Sequence, residues 1–102
     1  MYHVMIHNAM IKSFRNELTK NALNGKAGKG FPADLLKVVR RKLQYLNAAA
    51  SLNDLRAPPA NRLEALKGDR AGQHSIRVND QFRICFVWTK EGPENVEFVD
   101  YH

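Results

Sequence analysis

The stretch that decides the fold is 74–88, "HSIRVNDQFRICFVW". Two runs in it, "HSIRV" (74–78) and "FRICFVW" (82–88), alternate apolar with other residues. A short Asn79-Asp80-Gln81 connection joins them, so the stretch reads as a β-hairpin. Side chains alternate between the two faces of a strand, and that alternation selects the register. If Val78 faces Phe82, then Ile76 faces Ile84 and four apolar side chains share the core face. A slip of one residue would oppose Ile76 to Cys85 and mix the faces. The favoured register also sets Arg77 across from Arg83, and Ser75 across from Cys85.

Two guanidinium groups opposite each other on one sheet face repel. Such a pair calls for a carboxylate or another anion between them. Asp100 and Glu64 are the candidate carboxylates. The alternative is phosphate, which suits arginine because the planar, always charged head donates two hydrogen bonds at once. Lys67, Arg70 and Arg62 crowd the same region and favour a phosphate-binding face. Arg62, Arg70, Arg77 and His74 are accordingly read as RNA-binding.

Outward from the hairpin, "RLEALKGDRAGQ" (62–73) reads as a short strand and then a turn around Gly68 and Gly72. On the other side "EGPEN" (91–95) makes a turn and "VEFVDY" (96–101) a last strand. Upstream, "PADLLKVVRRKLQYLNAAA" (32–50) reads as a helix. Pro32 and Asp34 suit its start, and Leu36, Val39, Leu43 and Leu46 form one apolar stripe. Lys37, Arg40, Arg41 and Lys42 lie mostly off that stripe, as a solvated basic face or as a docking surface for RNA or an acidic partner. Ser51 and Asp54 resemble a capping box for a second short helix, which "APP" (57–59) ends. "NGKAGKGF" (24–31) is a flexible basic loop without the spacing of a phosphate-cradling loop. "MIKSF" (10–14) reads as a short strand, so Met10 is taken to open a single domain over 10–102, with Met1–Ala9 an extension or an early start. Helices before a mainly antiparallel sheet define an α+β fold, with the helices on one sheet face.

At 102 residues the chain has room for one modest core. Sixteen Lys and Arg against ten Asp and Glu give a net charge of +6, which points to a polyanion or an acidic protein as partner. Cys85 is the single cysteine, so no internal disulfide forms and a reducing, cytoplasmic setting is expected. It sits in an apolar run and reads as a buried, inert thiol. No apolar run approaches the ~20 residues of a membrane span, and the N-terminus lacks the pattern of a secretory signal. The four histidines are too scattered for a structural zinc site, and Glu97 with Asp100 is thin material for a magnesium nuclease.

The chain ends on Asp100, Tyr101 and His102. If the target is RNA, its own 2′-OH can attack the adjacent phosphate. The protein must then hold that geometry, move two protons and stabilise charge on phosphate oxygens. Arginines and a lysine supply the charge, and the three terminal side chains offer a carboxylate, a phenol and an imidazole for the protons.

"MIKSF", "LNDLRAPPANRLEALKGDRAGQHSIRVNDQFRICFVW" and the closing "VEFVDYH" resemble HigB-type toxins, GraT included, of the RelE/ParE superfamily. The resemblance covers Met10 to His102. It implies a RelE-like fold, with helices against a small, curved, mainly antiparallel sheet. It further implies a ribosome-dependent mRNA endonuclease that cleaves in the A site with no metal or cofactor. The implied partners are the ribosome with its mRNA and a cognate HigA-type helix-turn-helix antitoxin, through which alone operator DNA is met; no membrane is involved. The family's active-site Asp, Tyr and His fall on Asp100, Tyr101 and His102, the arginine of its N-x-x-[WF]-R turn on Arg83, and the lysine of its Leu-Lys-Gly on Lys67. Where some members carry a catalytic histidine, three residues before Lys67, this chain has Glu64. A glutamate accepts a proton at neutral pH and donates one only where burial raises its pKa, so Glu64 is either a base or an orienter of Arg83. The acid role then falls on His102 or Tyr101. The alternative reading is a non-cleaving relative, such as a ParE-like DNA gyrase poison. Gyrase poisons lack the Asp-Tyr-His ending.

Overall fold

The hairpin takes the register that its alternation demands. In the computed structural model, which describes residues 10–101, β2 (His74–Arg77) and β3 (Phe82–Thr89) pair Ser75 with Cys85, Ile76 with Ile84 and Arg77 with Arg83. Ile76 and Ile84 are wholly buried. Asn79 closes the turn: its side-chain oxygen accepts the N–H groups of Gln81 and Phe82 at 2.9 and 2.8 Å. β1 (Glu64–Ala65) pairs with β2, and β4 (Gly92–Asp100) with β3, giving an antiparallel sheet of order β1-β2-β3-β4. The strand expected in 62–73 is thus only two residues long. It gives way to a 3₁₀ turn at Gly68–Arg70.

β4 begins at Gly92 instead of Val96, because Pro93 and Glu94 already pair with Trp88 and Val87. A bulge separates the two halves of that ladder. Asn95 takes a left-handed φ of 53°, so Asn95 and Val96 together oppose Phe86. The kink limits what can pair on the outer edge. The expected strand over "MIKSF" is reduced to one parallel bridge, Phe14 with Val96, supported by Lys12 N–H to the Pro93 carbonyl at 2.8 Å. The reading of Met1–Ala9 as an extension lies outside the described residues.

Two α-helices cover one sheet face. α1 (Glu17–Leu23) has no counterpart in the sequence reading; Asn16 caps it by accepting the Thr19 N–H at 2.9 Å. Thr19 is wholly buried, donates its hydroxyl to Asn16 and accepts the Phe98 N–H at 3.1 Å, which ties α1 to β4. α2 (Leu36–Ala48) follows a 3₁₀ turn at Ala33–Leu35. Its Val39, Leu43 and Leu46 are wholly buried in a cluster with Ile76, Ile84, Phe86, Val96 and Phe98. Lys42 does not lie on the outer basic face: it is 5 % exposed, because position 42 adjoins the Val39–Leu43–Leu46 stripe.

The second short helix is a 3₁₀ segment, Leu52–Arg56, with the expected capping box. The Asp54 carboxylate accepts the N–H groups of Ala50 at 2.9 Å and Ser51 at 3.2 Å, and these bonds hold its carboxyl below the usual carboxylate range. A depressed folded pKa contributes stability that is present above the unfolded pKa and lost as pH falls through the folded one. Asp54→Ala should therefore melt earlier than the parent at neutral pH, and the gap should narrow as the medium is acidified through that window. Thermal melts over an acid pH series check this; a constant gap would remove the carboxylate from the account.

Candidate functional site

The sheet face away from the helices carries the charge. Two cross-strand rows build it by alternation: Glu64, Ser75, Cys85 and Glu97, and beside them Arg77, Arg83 and Val99. Arg83 is the centre. Its Nη1 donates to Ser75 Oγ at 2.7 Å and to the Arg62 carbonyl at 3.4 Å; Nη2 donates to the same carbonyl at 3.3 Å. Glu64 Oε1 stands 3.6 Å away. The Arg83 side chain is only 11 % exposed, while that of Glu64 is 55 % exposed, so the pair is a held guanidinium beside an open carboxylate. The Arg62 carbonyl reaches Arg83 because Arg62 adopts a left-handed conformation, φ 45° and ψ 57°, at the end of a 3₁₀ turn (Pro59–Asn61).

The facing arginines are not bridged by one shared anion. Arg77 turns to Asp80 in the hairpin loop, three residues along, while Arg83 takes Glu64. Asp100, the other candidate carboxylate, stands across from Phe82 on the alternate strand parity and accepts from Gln81 Nε2 at 3.0 Å. Arg70 lies over the neighbouring row, donating to Gln73 at 3.0 Å and Glu97 at 3.4 Å. Cys85 is wholly buried there, and burial pushes its thiol up, as expected of an inert group.

Lys67 and Arg62 are exposed, Lys67 just before the Gly68–Arg70 turn. Tyr101 continues the β3–β4 ladder through its N–H to the Gln81 carbonyl at 2.7 Å. Since Val99 opposes Arg83, alternation returns position 101 to the Arg83 face. His102 lies outside the described residues. His74 is placed on the opposite face, sharing parity with Ile76; it packs along Phe86 with ring centroids 6.3 Å apart. It lines a cleft of about 330 Å³ with Leu52, Asn53, Arg56, Leu63 and Ala65, away from the Arg83 fork. That position sets it apart from Arg77 and Arg83, with which it was grouped.

Ser75 and the Arg62 carbonyl were not singled out in the sequence. The register alone could have found Ser75, which lies diagonally from Arg83 across the hairpin. The carbonyl depends on a left-handed residue that no local motif announces. A second basic surface lies on the outer side of α2, where a groove of about 560 Å³ is lined by Gly25, Ala33, Leu36, Lys37, Arg40, Arg41 and Gln44. Arg40 is fixed there by donation of Nε to the Leu23 carbonyl at 3.0 Å.

The site is thus a fixed cationic fork beside an open carboxylate, near the end of the C-terminal strand. Residues 12–102 match the family model of the RelE-like toxin of type II toxin–antitoxin system HigB. The chain belongs to that family. It is 42 % identical over 71 residues to Toxin HigB-1 of Vibrio cholerae serotype O1, spanning 70 % of this chain and 74 % of that protein. An uncharacterized protein of Haemophilus influenzae is 41 % identical over 71 residues, 70 % of this chain and 69 % of the relative. Endoribonuclease HigB of Proteus vulgaris is 31 % identical over 93 residues, 91 % of this chain and 100 % of the relative. As a HigB-family toxin, the chain has an antitoxin among its partners. Among the described residues of this HigB-family toxin no helix is long and apolar enough to cross a membrane.

Proposed function

We propose that this HigB-family toxin is an endoribonuclease that enters the ribosomal A site and cleaves the mRNA held there. The observation that carries the reading is the Arg83 fork, held by Ser75 and the Arg62 carbonyl next to the open Glu64 carboxylate. In the reaction the RNA 2′-oxygen attacks the adjacent phosphorus, and the bond from phosphorus to the 5′-oxygen breaks. The products are a 2′,3′-cyclic phosphate and a free 5′-hydroxyl. Glu64 accepts the 2′-OH proton, Arg83 with Lys67 stabilises the charge on the phosphate oxygens, and Tyr101 or His102 protonates the leaving 5′-oxygen. Asp100 orients the terminal group. Arg62, Arg70 and Arg77 hold the flanking RNA backbone, and the basic outer face of α2 suits ribosomal RNA. The antitoxin is of HigA type, a helix-turn-helix protein through which operator DNA is met, and the toxin acts in the cytoplasm.

Primer extension on a defined mRNA programmed into ribosomes tests the reading, with naked mRNA as control. A new 5′ end at the A-site codon, absent without ribosomes, is the expected result. A folded protein that binds ribosomes and makes no cut would overturn it. Cells arrested with a DNA-damage response and intact mRNA would direct attention to gyrase instead.

Glu64 can be assigned by two substitutions. Glu64→Ala should slow single-turnover cleavage about 10²-fold, the lower range for loss of a positioned base. Glu64→Gln keeps a hydrogen-bond acceptor for Arg83 but cannot take a proton. It should be as slow as the alanine variant. Full activity in Glu64→Gln would reduce Glu64 to an orienter of Arg83, and full activity in both would leave it no role.

A further inference from the structure

Behind the Arg83 fork lies a buried polar chain that reaches into α2. Lys42 Nζ donates to Asn61 Oδ1 at 2.6 Å, and Asn61 Nδ2 donates to the carbonyls of Leu55 at 3.1 Å and Ala57 at 3.2 Å. Asn61 is wholly buried, and every one of these bonds is made by its single amide. The amide thus clasps the 55–61 segment to α2. The next residue is Arg62, left-handed, with its carbonyl on both Arg83 Nη atoms. A non-glycine residue in that conformation persists where its surroundings over-determine it. Here the Asn61 clasp immediately precedes it, and the Arg62 N–H itself donates to the Pro59 carbonyl at 3.1 Å.

The cation at the far end of the chain is an unusual choice. Lys42 is 5 % exposed and is held by a neutral amide, with its Nζ 5.7 Å from the Tyr45 ring centroid. Arg41 and Arg77 are near, and burial with their charges pushes its ammonium down. An apolar side chain in this place would spare the desolvation of a charge. What the ammonium supplies is a directional bond to Asn61.

We infer that Lys42 and Asn61 are positioning residues, which set the Arg83 guanidinium through the Arg62 carbonyl. The inference rests on the reading of Arg83 as the phosphate-stabilising group. A guanidinium released from this carbonyl keeps its charge and its place in β3 but loses its fixed fork. Displacement of about 1 Å from a change remote from the chemistry costs up to roughly 10²-fold in rate.

The test is single-turnover cleavage of ribosome-bound mRNA over a range of toxin concentrations, with thermal melts beside it. Asn61→Ala strips three hydrogen bonds, two of them buried, and risks unfolding, so Lys42→Met is the working variant: it keeps the stem and removes only the donor. Lys42→Met should lower the saturated rate about tenfold, with the half-saturating concentration and ribosome binding unchanged. In an Arg83→Lys background, where no fork remains to be aimed, Lys42→Met should add no further loss. A full saturated rate in Lys42→Met, with Arg83→Lys slow, overturns the inference and leaves the reading of Arg83 standing. The same tenfold loss in both backgrounds overturns it as well, since Lys42 then acts elsewhere. Full activity of Arg83→Ala overturns the reading of Arg83 and the inference with it.

Discussion

Arg83→Ala should reduce A-site cleavage about 10²–10³-fold, the range for loss of one preorganised donor to a developing oxyanion. Ribosome binding should change little. The two effects separate because they draw on different numbers of groups. Docking on ribosomal RNA sums many phosphate contacts, and the chain carries sixteen Lys and Arg to make them. Stabilisation of the transition state depends on one fork, pointed by Ser75 Oγ at 2.7 Å and by the Arg62 carbonyl. Arg83→Lys should recover only part of the rate, since a point charge cannot reproduce two parallel donors. Single-turnover cleavage and ribosome pelleting, run on the same preparations, give both quantities. Equal loss in the two would place Arg83 among the docking residues and move the catalytic charge to Lys67. Ser75 is wholly buried and loses its Arg83 partner in the alanine variant, at a cost of about 1–3 kcal/mol. A melt must therefore confirm that the protein assayed is folded.

The hairpin was legible because its two faces are chemically distinct. Ile76, Val78, Phe82 and Ile84 fit one face in only one register, and the structure has that register. From it followed the opposition of Arg77 and Arg83, and from that the expectation of compensating acids. Of the two acids named for this pair, Glu64 stands beside Arg83, whereas Asp80, which takes Arg77, was not named. Asp80 acts from inside the turn, where no alternation points to it, and the pairing that brings Glu64 to Arg83 belongs to a strand of only two residues. His74 was within reach: the register that buries Ile76 sends His74 to the same side. Its grouping with the arginines followed charge rather than alternation. α1 escaped because its seven residues carry no full apolar stripe, although Asn16-Glu17 is a helix start. Lys42 was read by its type as a surface cation, when its neighbours Val39, Leu43 and Leu46 place it at the core boundary. The bulge at Asn95 left no mark because a left-handed asparagine looks like any turn residue. The terminal Asp100 and Tyr101 drew attention by their proton-carrying chemistry, and the resemblance to HigB-type toxins joined them as one site; strand periodicity alone separates them onto opposite faces.

Phe98→Ala should cost about 3–5 kcal/mol, the range for a buried phenylalanine. Its ring lies between two others, with centroids 4.9 Å from Phe31 and 4.7 Å from Phe82. Its backbone N–H is the one received by Thr19 Oγ1, so the residue joins β4 to both α1 and β3. For a domain near this size each kcal/mol moves the melting temperature by about 4–8 °C, so the midpoint should fall by at least about 12 °C. That loss is a large fraction of the roughly 5–15 kcal/mol that holds such a domain folded. Phe98 faces the helices, and its strand neighbour Val99 faces Arg83, so the substitution empties the core without touching the fork. At a temperature where the variant is folded, its cleavage rate per folded molecule should stay near that of the parent. Arg83→Ala should differ in its rate, which falls about 10²–10³-fold per folded molecule, beyond whatever the loss of the Ser75 bond costs in melting. A Phe98→Ala protein that melts normally yet cleaves slowly would mean that the strand end, and not the core beneath it, is what Phe98 holds in place.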